Sequence, residues 1–487
     1  MKILLIKPPL NPNLLTVSLY EPLELEYLAA SVKDSDVRIL DMRIDRNLKR
    51  ELINFKPDLV GITAYTCDYN TVVTILKQVR EFDSTIKTVA GGSHATFSPD
   101  DFVLPYVDAV FIGYADSTFP QYVKAVDNPD RLKDIPNIGI IDKESVFFTK
   151  KVTSVPDLNS LPLPDRNLTR KYQKHYHDPL RNKIMLIMTS RGCPFRCNFC
   201  ACWKLMDGKY TVREPESIIE ELKSLPEETD IVYFSDDNTF NDIARMWRLS
   251  ELIKKNNIRK RFQMYARADT IVSNRDLFED MKAAGLQFIS IGLESFRDED
   301  LEYYNKRISV EINTRAIRIL KELDIHIIAL FIIRPDYTEE NFNQLFEYIY
   351  RNNLFRPAFP VLTPLPGTEL YEETSDLFEL TNFDFFDFAH SVLPTRLEPK
   401  EFYRQLTNIY FRSFSLKRLV NHRLHRLLSL NRDKFFTDNT DGITIGKLIL
   451  MAACSLSMAK RMRYTFRDLN ADHNNLQSIR GVNQELI

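Results

Sequence analysis

Short apolar runs of strand length, alternating with helical segments, constrain this chain more than any other feature. Along residues 1–152 the runs are KILLIK, DVRILDM, LVGITAY, IKTVAGG and DAVFIGY, separated by helical stretches at 23–31, 48–55, 71–82 and from Phe119 onward. A strand that is apolar at consecutive positions is buried on both faces, and a helix-length crossover between two such strands makes them parallel. The expectation is a doubly wound, Rossmann-like parallel sheet, with its ligand crevice outside the carboxyl ends of the strands. Those ends carry Lys7-Pro8-Pro9, Thr63 to Thr66, Gly91-Gly92-Ser93-His94 and Gly113-Tyr114. Two adjacent glycines there either let backbone approach a flat ligand or form a tight turn.

The stretch VPDLNSLPLPDRNL, within residues 153–180, is rich in proline and polar residues and reads as an inter-domain linker. A second β/α series fills residues 181–395. Its strand candidates are KIMLIMT, DIVYFS, RFQMYAR, QFISIGL, HIIALFII and AFPVLT, with helices at 214–224, 243–255, 275–284, 312–323 and 339–352. Six such repeats predict a partial (β/α)6 barrel of the TIM type. The residues just past each strand then share one face, which collects the cysteines of 193–200, Asp236-Asp237-Asn238, Arg267, Glu294-Ser295, Arg334 and Thr363-Pro364. Residues 396–487 read as a helical C-terminal domain rich in Arg and Lys. Within it, 443–458 is apolar but broken by Gly446 and Lys447, so it is expected to pack on the barrel rather than make peripheral contact with a membrane.

A formal charge of −2 with 27% charged residues offers no global basic surface, so no nucleic-acid partner is expected. The start, MKILLIKPPLNPN, lacks the long apolar region and cleavage site of a secretory signal. Six cysteines in 487 residues make a poor disulfide framework and fit a reducing, cytoplasmic location.

Three of those cysteines crowd into SRGCPFRCNFC, residues 190–200. Thiolates spaced four and three residues apart meet at one centre only if the backbone loops around it, as the proline after Cys193 allows. A structural zinc site wants four closed ligands, for which Cys202, His175 and His177 are the nearest further candidates. Iron–sulfur clusters also normally take four cysteines, so three thiolates on a four-iron cluster leave one iron open.

Cys193-x-x-x-Cys197-x-Phe199-Cys200 resembles the signature of radical S-adenosylmethionine (SAM) enzymes, placed just after the first barrel strand. VYFSDDNTF, GLQFISIGLESF and TPLPGTELY are similar to that family's second-, fourth- and sixth-strand segments. The resemblance implies a [4Fe-4S] cluster held by Cys193, Cys197 and Cys200, with SAM chelating the open iron. It further implies reductive cleavage of SAM to a 5′-deoxyadenosyl radical, with the electron supplied by a donor such as flavodoxin or ferredoxin. Phe199 matches the aromatic residue near the adenine, Asp236 and Asp237 would accept from the methionine ammonium, Glu294 and Ser295 would hold ribose hydroxyls or the amino group, and Arg267 would counter a carboxylate or pair with Glu294. Where many relatives have a glycine-rich fifth-strand turn, this chain has LFIIRPDYTEENF.

LPLPDRNL and AGGSHATF are similar to one branch of that family, the cobalamin-binding radical SAM enzymes. That implies cobalamin in the N-terminal domain, with Thr63, Thr66, Gly91, Gly92 and Gly113 lining the crevice for its nucleotide tail. The Asp-x-His-x-x-Gly loop of other cobalamin proteins is absent, and His94 is the single histidine of this domain, so binding without histidine ligation is implied. The expected activity is methylation of an unactivated carbon or phosphorus of a small-molecule substrate. The alternatives are a ring-forming oxidative cyclase acting on a porphyrin-like or lipid substrate, and a non-enzymatic cobalamin or iron–sulfur sensor. If three thiolates suffice, Cys202→Ala retains its full iron content after anaerobic reconstitution; loss of iron in that variant would restore a four-thiolate site.

Overall fold

The computed structural model describes residues 1–11, 18–142, 145–152, 157–178 and 181–414; the helical reading of the chain beyond 414, including 443–458, lies outside the described residues. The first sheet contains β1 (Lys2–Lys7), β2 (Asp36–Asp41), β3 (Leu59–Thr63), β4 (Lys87–Gly91), β5 (Ala109–Phe111), β6 (Ile138–Asp142) and β7 (Ser145–Phe148), in the order β2-β1-β3-β4-β5-β6-β7. β1 to β5 are parallel. Alternate residues of the apolar runs feed two cores: Leu4, Ile6, Val60 and Ile62 pack with Phe55 and Leu76 on one side, while Ile3, Leu5, Leu59 and Val89 pack with Leu25, Phe119 and Tyr122 on the other. Each such side chain, fully buried, contributes about 1.5–3 kcal/mol. Connections from β1 leave in both directions, so a crevice opens between the ends of β1 and β3. The β6–β7 pair is an antiparallel hairpin that strand periodicity did not reveal. β7 is an edge strand, exposed at three of its four residues, and lacks a buried apolar face to mark it.

The second sheet is all parallel, ordered β15-β14-β13-β12-β11-β8: β8 (Ile184–Ile187), β11 (Ile231–Phe234), β12 (Arg261–Ala266), β13 (Leu286–Glu294), β14 (His326–Phe331) and β15 (Arg356–Ala358). A small antiparallel pair, β9 (Ser190–Arg191) and β10 (Thr211–Val212), follows β8. Among the described residues β8 and β15 do not pair, so the barrel is an open arc. Val232, Phe234, Phe262, Met264, Ile289 and Ile291 face the surrounding helices, and Ile184, Tyr233, Phe288 and Ile328 face the lumen. The helix Pro399–Ser413 packs on Glu339–Arg351 through Phe402 and Phe342, 5.8 Å between rings. No helix among the described residues is long and apolar enough to cross a membrane.

The segment joining the two sheets is a packed strap. Arg166 donates to Glu221 (2.7 Å) on the barrel helix Pro215–Ser224 and to the carbonyl of Leu186 (2.6 Å), and lies 3.5 Å from Glu21 of the first domain. Glu21 accepts from the backbone N–H of Leu186 (2.7 Å), and Glu221 also pairs with Arg213. Glu26 accepts from the Thr169 hydroxyl. Two guanidinium groups therefore face three buried carboxyls, Glu21, Glu26 and Glu221, and charge balance favours one retained proton. Burial pushes Glu21 up to about 7 and raises Glu26 as well. A glutamate in the unfolded chain releases its proton near ~4.3, so the folded form binds more protons between there and about 7, and stability falls as pH rises through that window. Denaturant midpoints should decline from about pH 5 to about pH 7.5 for this reason, and Glu21→Gln should flatten the decline.

Candidate functional site

β8 delivers the chain to the carboxyl-end mouth of the barrel, where residues 192–200 turn back on themselves. Gly192 has φ +84°, and a Cβ there would lie 2.1 Å from the Lys209 carbonyl, so only glycine fits the turn. The loop is pinned from outside. The Asn198 amide side chain donates to the Tyr303 carbonyl (2.8 Å), the Leu370 N–H donates to the Asn198 carbonyl (3.1 Å), and the Trp203 indole donates to the Cys197 carbonyl (3.0 Å). Burial pushes the Cys193 thiol up to about 11, with Cys200 and Cys197 adding to the rise. The Cys202 thiol donates to the Cys200 sulfur, which lowers Cys200. Cys202 also lies against Asp237.

The strand-end residues divide by what they touch. Asp236 accepts from the Thr189 N–H and hydroxyl (both 2.6 Å) and from the Ser190 N–H (2.9 Å), so its carboxylate braces the turn into the cysteine loop. Asp237 accepts from the Gly192 N–H (2.8 Å) and is raised by burial. Arg267 pairs with Asp269 (3.0 Å), donates to the Lys306 carbonyl (2.9 Å) and stacks on Phe195 at 3.6 Å. Glu294 pairs with Lys306 (2.8 Å) rather than with Arg267, both side chains about 10% exposed or less. Its φ is +60°, at an irregularity in the β13–β14 register, a costly conformation for a non-glycine residue that holds the carboxylate at the mouth. The buried Ser295 hydroxyl donates to Asp300 (2.6 Å). Phe199 packs edge-on against Tyr304 at 5.3 Å. Lys306 escaped the sequence reading because its loop is distant in sequence and has no periodicity of its own.

In the first domain, Gly92 (φ +100°) is packed by the chain itself: a Cβ would lie 2.7 Å from the Ala64 carbonyl oxygen and 2.9 Å from the Thr63 hydroxyl. Gly91 is the last residue of β4, and its carbonyl accepts from the Ala64 N–H (2.8 Å). Gly113 (φ +78°) opens on free space, with nothing within 4 Å of where a Cβ would stand. His94 is enclosed by Tyr69, Phe102 and Phe383 at 4.9, 5.8 and 4.7 Å, its Nδ1 3.3 Å from the Thr66 hydroxyl and its Nε2 3.1 Å from Asp101. The crevice between β1 and β3 instead presents Tyr65, 51% exposed, with the Lys7 ammonium 4.7 Å above its ring and Glu24 2.7 Å from that ammonium. The two faces meet where Arg191, just before the cysteine loop, pairs with Asp116 and stacks on Tyr114 at 4.2 Å.

Among the described residues no three ligating side chains close around a single point, which is what one mononuclear ion needs. A four-iron cluster takes each thiolate on a different iron, so thiols spread around a loop fit it, and Cys193, Cys197 and Cys200 are all free thiols. The open side of Gly113 and the exposed Tyr65 likewise fit a bulky group seated on the first sheet's strand ends. His175 and His177 lie on the other side of the barrel: His177 bridges Leu19 and Lys183 before β8 begins. Removing one partner of the Glu294–Lys306 pair leaves a buried charge, so Lys306→Met should lower unfolding free energy by about 3–5 kcal/mol, and adding Glu294→Gln should restore much of it in a double-mutant cycle.

Residues 187–349 match the Radical SAM superfamily and residues 16–123 the B12 binding domain. The chain is 27% identical over 396 residues to the hopanoid C-3 methylase of Methylococcus capsulatus, covering 79% of this chain and 75% of that one. It is 26% identical over 421 residues to the anaerobic magnesium-protoporphyrin IX monomethyl ester cyclase of Cereibacter sphaeroides, covering 83% and 68%. In fold it is similar to the cobalamin-dependent SAM radical enzyme OxsB, solved with aqua-cobalamin and SAM bound, at TM-score 0.70 and 15% identity over 96% of this chain and 80% of that one. A three-thiol loop at a parallel barrel mouth, facing a doubly wound sheet and matched by both domain families, places this chain in the B12-binding radical SAM enzyme family.

Proposed function

We propose that the chain is a cobalamin-dependent radical SAM methyltransferase acting on a small-molecule substrate. The domain limits we assign are 1–152, 153–180, 181–395 and 396–487. The observation that carries the reading is the Arg191–Asp116 contact, which ties the cysteine loop to the loop after β5 and so sets the two cofactor faces opposite each other. When bound, the cluster would supply the electron that splits SAM, and cobalamin would carry the methyl group.

The chain's own part is to hold, orient and exclude water. Cys193, Cys197 and Cys200 would hold the cluster, with the Cys202 thiol as a hydrogen-bond donor to Cys200. Glu294 and Lys306 place one acceptor and one donor at the mouth, suited to the ammonium and carboxylate of an amino acid. Asp236 and Ser295 act by fixing the turns that carry them. Phe199 offers a ring edge beside Tyr304 for a base. Gly113, Tyr65 and Lys7 would cradle the corrin, with Thr63, Thr66, Gly91 and Gly92 shaping the crevice behind it; His94, enclosed by aromatic rings and engaged by Thr66 and Asp101, would not be a ligand to its metal. A one-electron donor such as flavodoxin or ferredoxin completes the scheme.

The similarity to a protoporphyrin cyclase favours a second reading, ring formation without methyl transfer. Product analysis separates the two. After anaerobic reconstitution and reduction, methyl transfer predicts S-adenosylhomocysteine together with 5′-deoxyadenosine. Deoxyadenosine without S-adenosylhomocysteine would favour the cyclase, and no cleavage of SAM at all would leave neither.

A further inference from the structure

The cations around the cysteine loop fall into two groups. Those turned to the barrel mouth are answered by carboxylates: Arg191 by Asp116, Arg267 by Asp269 and Lys306 by Glu294. On the solvent-facing flank Arg196 and Arg307 are exposed and Lys204 is half-buried. Each of these three is held by a neutral group instead. The Arg196 guanidinium and the Lys204 ammonium lie 5.5 and 4.7 Å from the centre of the Trp203 ring, and Arg307 donates to the Asn305 side chain (3.1 Å). Among the described residues none of the three forms an ion pair. A cation–π contact or a neutral hydrogen bond restrains a long side chain without cancelling its charge.

The two stretches that carry them form one surface, because the Asn305 side chain donates to the Arg196 carbonyl (2.7 Å). Asp207 and Glu302 are the acidic residues of 194–209 and 302–309, set against Arg196, Lys204, Lys209 and Arg307, so the patch is positive on a chain whose formal charge is −2. It also adjoins a thiol. Arg196 directly precedes Cys197, and the Trp203 indole, 5% exposed beneath the two cations, donates to the Cys197 carbonyl (3.0 Å). Charged surface, ring and cysteine backbone thus follow in direct succession. The mouth side of the loop faces the first domain, where Arg191 meets Asp116, which leaves the solvent-facing flank for an approaching protein.

We propose that Arg196, Lys204 and Arg307 form the docking surface for an acidic one-electron carrier protein, which reaches the cysteine loop from its solvent side. What the electron does there rests on the proposed radical chemistry; the docking does not. In the transfer the carrier is oxidised by one electron and the cluster reduced by one, with no proton moved. Opposite surface charges steer two proteins together and orient them, and salt weakens both effects.

The test uses the full chain and plant-type ferredoxin, an acidic one-electron protein, as probe. Binding is read from the fluorescence anisotropy of labelled, oxidised ferredoxin and needs no cluster in the chain. The triple variant Arg196→Gln, Lys204→Gln, Arg307→Gln should bind at least tenfold more weakly than wild type at about 20 mM salt, and wild-type affinity should fall at least tenfold between about 20 and about 200 mM. Arg170→Gln, Lys171→Gln, Lys174→Gln removes three exposed cations of the strap instead and should bind as wild type does. After anaerobic reconstitution the loop variant should lose at least fivefold in SAM cleavage driven by reduced ferredoxin, while cleavage driven by reduced methyl viologen, a small cation, stays unchanged. Should the loop variant not fold, Arg307→Glu alone should weaken ferredoxin binding at least threefold. Undiminished binding in either loop variant, an equal loss in the strap variant, no binding by wild type, or an equal loss of cleavage with both reductants overturns the proposal. No cleavage by wild type with methyl viologen sinks the radical reading instead, and the binding measurement still decides the docking.

Discussion

The buried ionic cluster centred on Arg166 is the interaction on which the architecture turns. One guanidinium from the strap reaches a carboxylate of the first domain, a carboxylate of a barrel helix and the carbonyl of the first barrel strand. Desolvated charges of this kind add little net stability, because the loss of hydration offsets the attraction. They discriminate strongly between arrangements, since any other docking of the two sheets leaves charges buried and unpaired. The strap thus sets orientation, and orientation brings the carboxyl ends of both parallel sheets to one place.

Polar groups at those strand ends serve two ends. Asp236, Ser295 and Thr66 satisfy backbone or side-chain partners and hold turns in shape. Glu294, Lys306, Asp237 and the three thiols lie at the barrel mouth, where we propose that the ligand binds, and Glu294 does so in a backbone conformation that packing must sustain. This division follows from chemistry: a site that must grip a charged ligand needs acceptors that do not drift, and buried hydrogen bonds behind the mouth prevent drift.

Much of this was legible in the residues. The helices at Leu23–Ser31 and Leu48–Phe55 and the first five barrel strands follow apolar periodicity, which is local and therefore readable; the sixth, expected at 358–363, lies instead at Arg356–Ala358, with an isolated bridge at Val361 beyond it. The strand-end face followed from the parallel topology. The β6–β7 hairpin was not legible because its edge strand buries almost nothing. Nor was the strap: a proline-rich polar composition marks linkers and packed straps alike, and only Arg166 buried between two carboxylates separates them. The paired glycines suggest room for a ligand, yet at Gly92 the close approach is made by Ala64 of the same chain, while the open one is Gly113.

By itself the sequence determined the parallel strands shared by the two sheets and the three thiols at one strand end, because burial patterns and short spacings depend on near neighbours. Tertiary structure alone decided that Glu294 meets Lys306 and that Arg191 meets Asp116 across the two domains. Those are distances between residues remote along the chain. They follow from how two sheets twist and dock, and no local pattern encodes them.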